Sequence, residues 1–296
     1  MSATVAVLGP GAVGGALAVH LSLAGQRVVC VARRETAEPI VAQGLTLQLG
    51  EQEVTAWPEV VELLGDPVDV LVVAVKAPSL DRALGRIARE AVADGVVVSL
   101  LNGLEHVVTI RERLGARTAA GSVSRFQAYR DGPAHIVQLT ETFVVTAASD
   151  DMASDALAAA LAPLAEAGVD LHLGTSERAV LWEKAARLGP LAAVTALTQR
   201  SVGELRADPE WRATLTAAIE ESCAVATADG APISSADQWA ILDAMSEDLT
   251  TSAARDVAEG KPSELDAITG AIVRAGARHG VPTPVLESLL AQLEGA

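Results

Sequence analysis

Lys184 is the side chain best placed to move a proton. Leu181, Leu188 and Leu191 lie three residues before it and four and seven after, so helical periodicity sets the lysine on an apolar stripe. An ammonium among apolar groups loses hydration and its pKa falls, which suits a proton donor to a developing alkoxide. A lysine on such a stripe can also snorkel to solvent, and periodicity alone favours that plainer reading over the proton donor. Lys76 follows the apolar run Asp69–Val75, and Asn102-Gly103 follows the run Val96–Leu100. Both would stand at the carboxyl edge of a sheet, where open α/β sheets bind ligands. A solvated strand-end lysine and an ordinary Asn-Gly turn are the plain alternatives. The segment Thr251–Gly270 mixes small, polar and charged residues, with Glu264 expected near a helix start behind Pro262. Capping alone would account for a carboxylate there.

A second constellation opens the chain. The apolar run Val5–Leu8 leads into Gly9, Gly11 and Gly14 in G-x-G-x-x-G spacing, followed by the alanine-rich Ala16–Ala18. That order is strand, tight turn and helix, and it describes a dinucleotide site. Gly9 permits the turn, Gly11 lets the backbone approach a pyrophosphate, and Gly14 lets the helix pack closely. The backbone around Ala12 and Val13 then offers the N–H groups and positive dipole end of the helix. The next strand, Arg27–Ala32, ends at Arg33-Arg34 rather than at the carboxylate that usually receives the ribose hydroxyls of NAD. A guanidinium grips a 2′-phosphate that a carboxylate would repel. Arg33 is the first choice for that contact and Arg34 the second, so NADP(H) is the expected cofactor. Two solvated loop arginines are the alternative.

Other chemistries find little support. The five histidines are scattered without zinc-site spacing, so no metal is expected. There is no G-x-S-x-G elbow and no Walker lysine after the glycines. The net charge of −16 argues against nucleic acid or an anionic membrane as partner. No apolar run approaches the length of a membrane span, and no signal peptide is evident. Cys30 and Cys223 read as reduced core residues, so a cytoplasmic location is expected.

The elements that must position these groups fall into two sets. Up to about residue 174, strands and helices alternate. Val70–Val75 and Val96–Leu100 are near-continuous apolar strands of a sheet buried on both faces. From about Thr175 the pattern turns to long helices, clearest over Arg178–Gln199, Trp211–Asp229, Ala236–Met245 and Glu264–Gly280. The expected architecture is α/β: a Rossmann-type, doubly wound N-terminal domain over 1–174 and an all-helical substrate and catalytic domain over 175–296.

Taken together, these motifs resemble the ketopantoate reductase (2-dehydropantoate 2-reductase) family over nearly the whole chain. Gly9–Gly14 and Arg33 match its NADP-binding start, Val75-Lys76 its V-K pair and Asn102-Gly103 its N-G pair. Trp182-Glu183-Lys184, Thr195–Thr198 and Val202–Leu205 match its lysine helix. Ser252, Asp256, Glu264, Asp266 and Gly270 match its S-x-x-x-D…E-x-D…G segment, and His279–Pro284 its ending. The resemblance implies NADPH-dependent reduction of ketopantoate to pantoate, a step toward pantothenate and coenzyme A. It implies Lys184 as general acid and Glu264 as the group orienting the lysine and a substrate hydroxyl. Ser252 and Asn102 would hold the acid's polar groups, and Lys76 would lie near nicotinamide and substrate. Lys76, Asn102 and Glu264 would also meet the cofactor, with the substrate in a cleft between domains. A homodimer is compatible with the resemblance.

One departure stands out. The family carries asparagines four and eight residues after the lysine and a proline at nine; here the positions hold Leu188, Ala192 and Ala193, with Pro190 displaced. Leu188 cannot hydrogen-bond, so the substrate pocket is expected to be more apolar. A paralogous reductase of a less hydroxylated 2-oxo acid is therefore the alternative, and a non-catalytic NADP-binding sensor is the alternative from another class.

Overall fold

The computed structural model describes residues 2–295. Its residues group into two compact units, 1–101 with 106–180, and 102–105 with 181–296. The division falls after Val180, inside a helix, six residues beyond the boundary expected at 174. The four residues 102–105 belong with the helical unit although the sequence surrounds them with strands.

The first unit is built on an eight-stranded sheet. Its strands are β1 (Thr4–Leu8), β2 (Arg27–Val31), β5 (Glu59–Val61), β6 (Val70–Val73), β7 (Val96–Ser99), β8 (Arg117–Ser124), β11 (Val144–Ala148) and β12 (Asp170–Leu173), in the order β12-β11-β8-β7-β6-β1-β2-β5. All neighbours run parallel except β11 against β8. β6 and β7 are buried along their whole length, as unbroken valine runs require. Val5, Val7, Val70 and Val72 feed the core on one face, while Ala6, Leu8, Leu71 and Val73 feed the other. Helices α1 (Ala12–Leu23) and α2 (Arg34–Gln43) follow β1 and β2, and the short helix α3 (Leu80–Leu84) follows β6. Helix α4 (His106–Leu114) precedes β8, and α5 (Ser154–Ala160) and α6 (Ala162–Glu166) join β11 to β12.

A second, four-stranded sheet was not expected as a separate layer. Strands β3 (Leu45–Leu49), β4 (Gln52–Ala56), β9 (Ala128–Arg130) and β10 (His135–Gln138) pair in the order β4-β3-β10-β9. It packs on α1 so closely that a Cβ on Gly15 would stand 2.3 Å from the Ile136 side chain. The alternating strands and helices of the first 174 residues are thus divided between two sheets, because β3 and β10 pair across more than 80 residues of sequence.

The helical unit holds most of α7 (Glu177–Thr198), then α8 (Val202–Ala207), α9 (Pro209–Ala228), α10 (Ser235–Asp243), α11 (Ser252–Ala258), α12 (Ala271–His279) and α13 (Pro284–Glu294). Trp182, Leu215, Ile219, Ile272 and Leu286 form its core. The Trp182 Nε1 donates to Asp229 Oδ2 at 2.7 Å, and His279 meets the other oxygen of the same carboxylate at 2.8 Å. In the first unit, Arg111 donates to Asp151 at 2.7 Å and to Glu177 at 2.5 Å, which ties down the first turn of α7. Burial pushes the Glu177 carboxyl above its ordinary range, opposed first by the Asp150 N–H that it accepts and then by Arg111.

Candidate active site

In the first unit the glycines are there for space. Gly9 has φ +91°, and a Cβ on it would stand 2.5 Å from the Val75 side chain. A Cβ on Gly14 would meet the Gly9 carbonyl at 2.4 Å, so α1 starts flush against β1 and Ala74. At Gly11 an added Cβ would meet only the Gly9 carbonyl at 4.0 Å, and beyond it the turn is open. Gly11 is also the N-cap of α1 and supplies no side-chain cap to the first N–H groups. An open, uncapped helix start after a tight glycine turn fits the pyrophosphate of a dinucleotide, with Ala12 and Val13 giving backbone donors.

Arg33 caps α2, is exposed, and makes no side-chain hydrogen bond or ion pair among the described residues. Arg34 is engaged differently: its Nε donates to Glu38 at 2.7 Å in an exposed pair. Arg130, on β9, was not singled out from sequence. Its guanidinium donates to the carbonyls of Gly132 and Pro133 at 3.3 and 2.7 Å. Burial lowers the Arg130 pKa, and the neighbouring positive charge of Arg33 lowers it further. The two guanidinium charges act on each other, a local concentration of positive charge in a chain of net charge −16. No spacing in the sequence marks Arg130, because what sets it apart is the Arg33 charge brought near it from another part of the chain. Lys76 lies exposed in extended backbone past the end of β6, and its carbonyl accepts from the Ser79 N–H at 2.9 Å.

The helical unit brings the remaining residues together. Lys184 is half-buried, and Glu264 is buried at 8% exposure. Burial pushes the Lys184 ammonium down to about 8; the Glu264 carboxylate opposes that fall and the Arg187 charge deepens it. Asn102 Nδ2 donates to Glu264 Oε2 at 3.4 Å. Thus the lysine helix, the Asn-Gly loop and the Glu264 segment meet within one unit.

The segment expected as a helix over Glu264–Gly280 is helical from Leu265 to His279, but its first turns are not α-helical. Pro262 and Ser263 lie in irregular chain, Asp266–Gly270 forms a π-turn, and only then does α12 begin. Thr269 Oγ1 donates to the Gly189 carbonyl of α7 at 2.9 Å, so the π-turn is bonded to the lysine helix. Gly103, at φ +106°, sits against the same turn; a Cβ there would stand 2.2 Å from the Ala267 carbonyl. Arg274 of α12 donates to both Glu105 oxygens, at 3.2 and 2.7 Å, and so holds the loop that carries Asn102. Periodic π-turns concentrate at functional sites, and here the turn sits two residues past the buried carboxylate.

Ser252 is exposed in the first turn of α11, and the helix is capped by Thr251. Thr251 also shares a buried hydrogen bond of 2.7 Å with Thr195 of α7, which joins the serine helix to the lysine helix. Leu188 is half-buried, and Ala192 is wholly buried against Ala196, Ala253 and Leu265. The α7 face at these two positions carries no polar side-chain atom.

Residues 5–150 match the family model described as ketopantoate reductase PanE/ApbA, and residues 178–296 match that of its C-terminal part. The 2-dehydropantoate 2-reductase of Caulobacter vibrioides is 31% identical over 99% of both chains. That of Vibrio cholerae is 29% identical over 98% of this chain and 96% of its own. A crystal structure of a ketopantoate reductase from Ralstonia eutropha superposes with a TM-score of 0.86 at 28% identity, covering 98% of this chain and 97% of the other. D-Mandelate dehydrogenase with NADH and anilino(oxo)acetate shares the fold, with a TM-score of 0.91 at 22% identity over 99% and 97% of the chains. No helix among the described residues is long and apolar enough to cross a membrane. By sequence over its full length and by fold, the chain belongs to the ketopantoate reductase family of nicotinamide-dependent oxidoreductases.

Proposed function

We propose that the protein reduces a 2-oxo acid at its keto carbon with NADPH as reductant, and that 2-dehydropantoate, reduced to pantoate, is the default substrate. The observation that carries this reading is Lys184, lowered to about 8 beside the buried Glu264 carboxylate. A donor with a pKa near the working pH is protonated enough to give its proton and acidic enough to release it. NADPH, when bound, supplies the hydride. Gly9, Gly11, Ala12, Val13 and Gly14 hold its pyrophosphate on the start of α1, and Arg33 with Arg130 receives the 2′-phosphate. Lys76, Asn102 and Glu264 also face the coenzyme. Lys184 protonates the keto oxygen as it becomes an alkoxide. Glu264 orients the ammonium and accepts a hydrogen bond from a substrate hydroxyl, while Asn102 and Ser252 hold the acid's polar atoms.

A second reading, reduction of a less hydroxylated 2-oxo acid, is favoured by Leu188 and by the closed apolar contact of Ala192 with Ala196, Ala253 and Leu265. A site that holds leucine rather than a hydrogen-bonding side chain at position 188 forgoes about 1–3 kcal/mol of the binding of a hydroxylated substrate. Following NADPH oxidation with ketopantoate and with branched 2-oxo acids lacking the hydroxyl separates the two. A higher kcat/KM on ketopantoate carries the first reading, and a higher value on the deoxy acids carries the second. No oxidation with any 2-oxo acid overturns both.

A further inference from the structure

Arg187 is left over once Lys184, Glu264, Asn102 and Ser252 have their tasks. It lies one turn beyond Lys184 on α7 and is half-buried. Its Nη1 donates to Gln238 Oε1 of α10 at 2.5 Å and reaches the Glu183 carbonyl at 3.5 Å. Its Nε and Nη2 make no hydrogen bond and it forms no ion pair among the described residues, although the Glu183 charge partly offsets the effect of burial on it. That is unusual in a chain with 38 acidic and 22 basic residues. A guanidinium only donates, so the bond from Arg187 fixes the Gln238 amide with its oxygen toward the arginine. The other end of that amide, Nε2, is then buried with no partner among the described residues, in a side chain that is 0% exposed. Burial lowers the Arg187 pKa, and its charge in turn lowers that of Lys184, so the two cations share one neighbourhood.

Two cations and a set of unused N–H donors call for an anion with two acceptor oxygens. The adjoining Leu188 offers no donor of its own. In a 2-oxo acid the carboxylate is one bond from the keto carbon, and side chains three apart on a helix have Cβ atoms about 5–6 Å apart. A lysine at the keto oxygen therefore has the residue three positions on within reach of the carboxylate. We infer that Arg187, braced by Gln238, grips the substrate carboxylate through its Nε–H and Nη2–H groups and so selects 2-oxo acids over neutral ketones. Arg187 is on this account a specificity residue that compensates for Leu188. The inference rests on the 2-oxo acid reading above.

The test compares the best 2-oxo acid substrate with its methyl ester, which keeps the ketone and removes the negative charge. In Arg187→Met the KM for the acid should rise about 30-fold or more, the ester being little affected, because a desolvated charged pair loses one partner. Arg187→Lys should recover part of the acid-over-ester preference, and Gln238→Leu should weaken it without abolishing it. With one cation gone, the basic limb of the pH profile in Arg187→Met should also move above about 8. Coenzyme binding and the melting temperature are measured in parallel, and the lysine variant carries the test where the methionine variant fails to fold. Unchanged acid-over-ester preference in both position-187 variants, with the wild type active on 2-oxo acids, overturns the carboxylate grip and leaves the reductase reading standing. A wild type inactive on every 2-oxo acid overturns the reductase reading itself.

Discussion

Removing the Lys184 amine in Lys184→Ala is expected to lower kcat by about 10²–10⁴-fold, the usual contribution of a positioned acid, with coenzyme affinity retained. Stopped-flow turnover beside a fluorescence titration with NADPH checks both halves. The acid must be protonated to act, so kcat/KM should be level below pH 8 and fall as pH rises through about 8. Stability has the opposite sign: the folded pKa lies below the free value of 10.5, so the unfolded chain binds the extra proton between about 8 and 10.5. Lys184 therefore weighs against folding below that window and stops doing so as pH climbs through it. At the coenzyme end, the proposed preference for NADPH over NADH should be reversed in Arg33→Asp, read as the ratio of the two KM values, since a carboxylate repels a 2′-phosphate. Lys184, Glu264, Asn102 and Arg33 could be nominated from sequence because each sits at a fixed offset from a patterned element. Arg130 and Arg187 could not, because what marks them is a partner brought in from elsewhere in the chain: the Arg33 charge for one and the Gln238 amide for the other.

At the scale of elements, the helix periods of α7, α9 and α10 fixed those segments to within a residue or two of their observed ends. The Glu264 segment resisted, because a π-turn keeps the apolar rhythm of a helix while adding a residue to one turn. Its cause is tertiary: Thr269 reaches across to the Gly189 carbonyl and Gly103 abuts the Ala267 carbonyl. Gly103→Ala should therefore lower stability by about 2–3 kcal/mol, from a strained positive φ and a backbone collision, and raise KM by displacing Asn102. Denaturant unfolding with steady-state kinetics checks this, and a variant of wild-type stability and KM would refute the packing argument. Thr269→Val keeps the shape and loses the bond, so a cost of about 1 kcal/mol is expected there. The small second sheet was illegible for a related reason: β3 and β10 are each plausible alone, and only their pairing across distant sequence makes a layer.

At the scale of the whole molecule, the net charge of −16 would confront a coenzyme and a proposed substrate that are both anions. Long-range repulsion is screened over a Debye length of about 8 Å at physiological salt, whereas a partly buried contact such as that at Arg187 is screened much less. Raising ionic strength from about 10 to about 150 mM should thus lower the KM of both anions. A KM that rises with salt would show that the local arginines dominate at every range.

The four residues 102–105 are packed with the helices although the chain reaches them from a strand. Chimeras between relatives would then inherit a mismatch at any single crossover near residue 180, because Asn102 and Gly103 would come from one parent and the turn they abut from the other. A recombinant that swaps the short loop together with the carboxy-terminal half should keep turnover, and one that swaps the half alone should lose it. What looks in sequence like two consecutive modules is, for anyone redesigning it, one module stitched through the other.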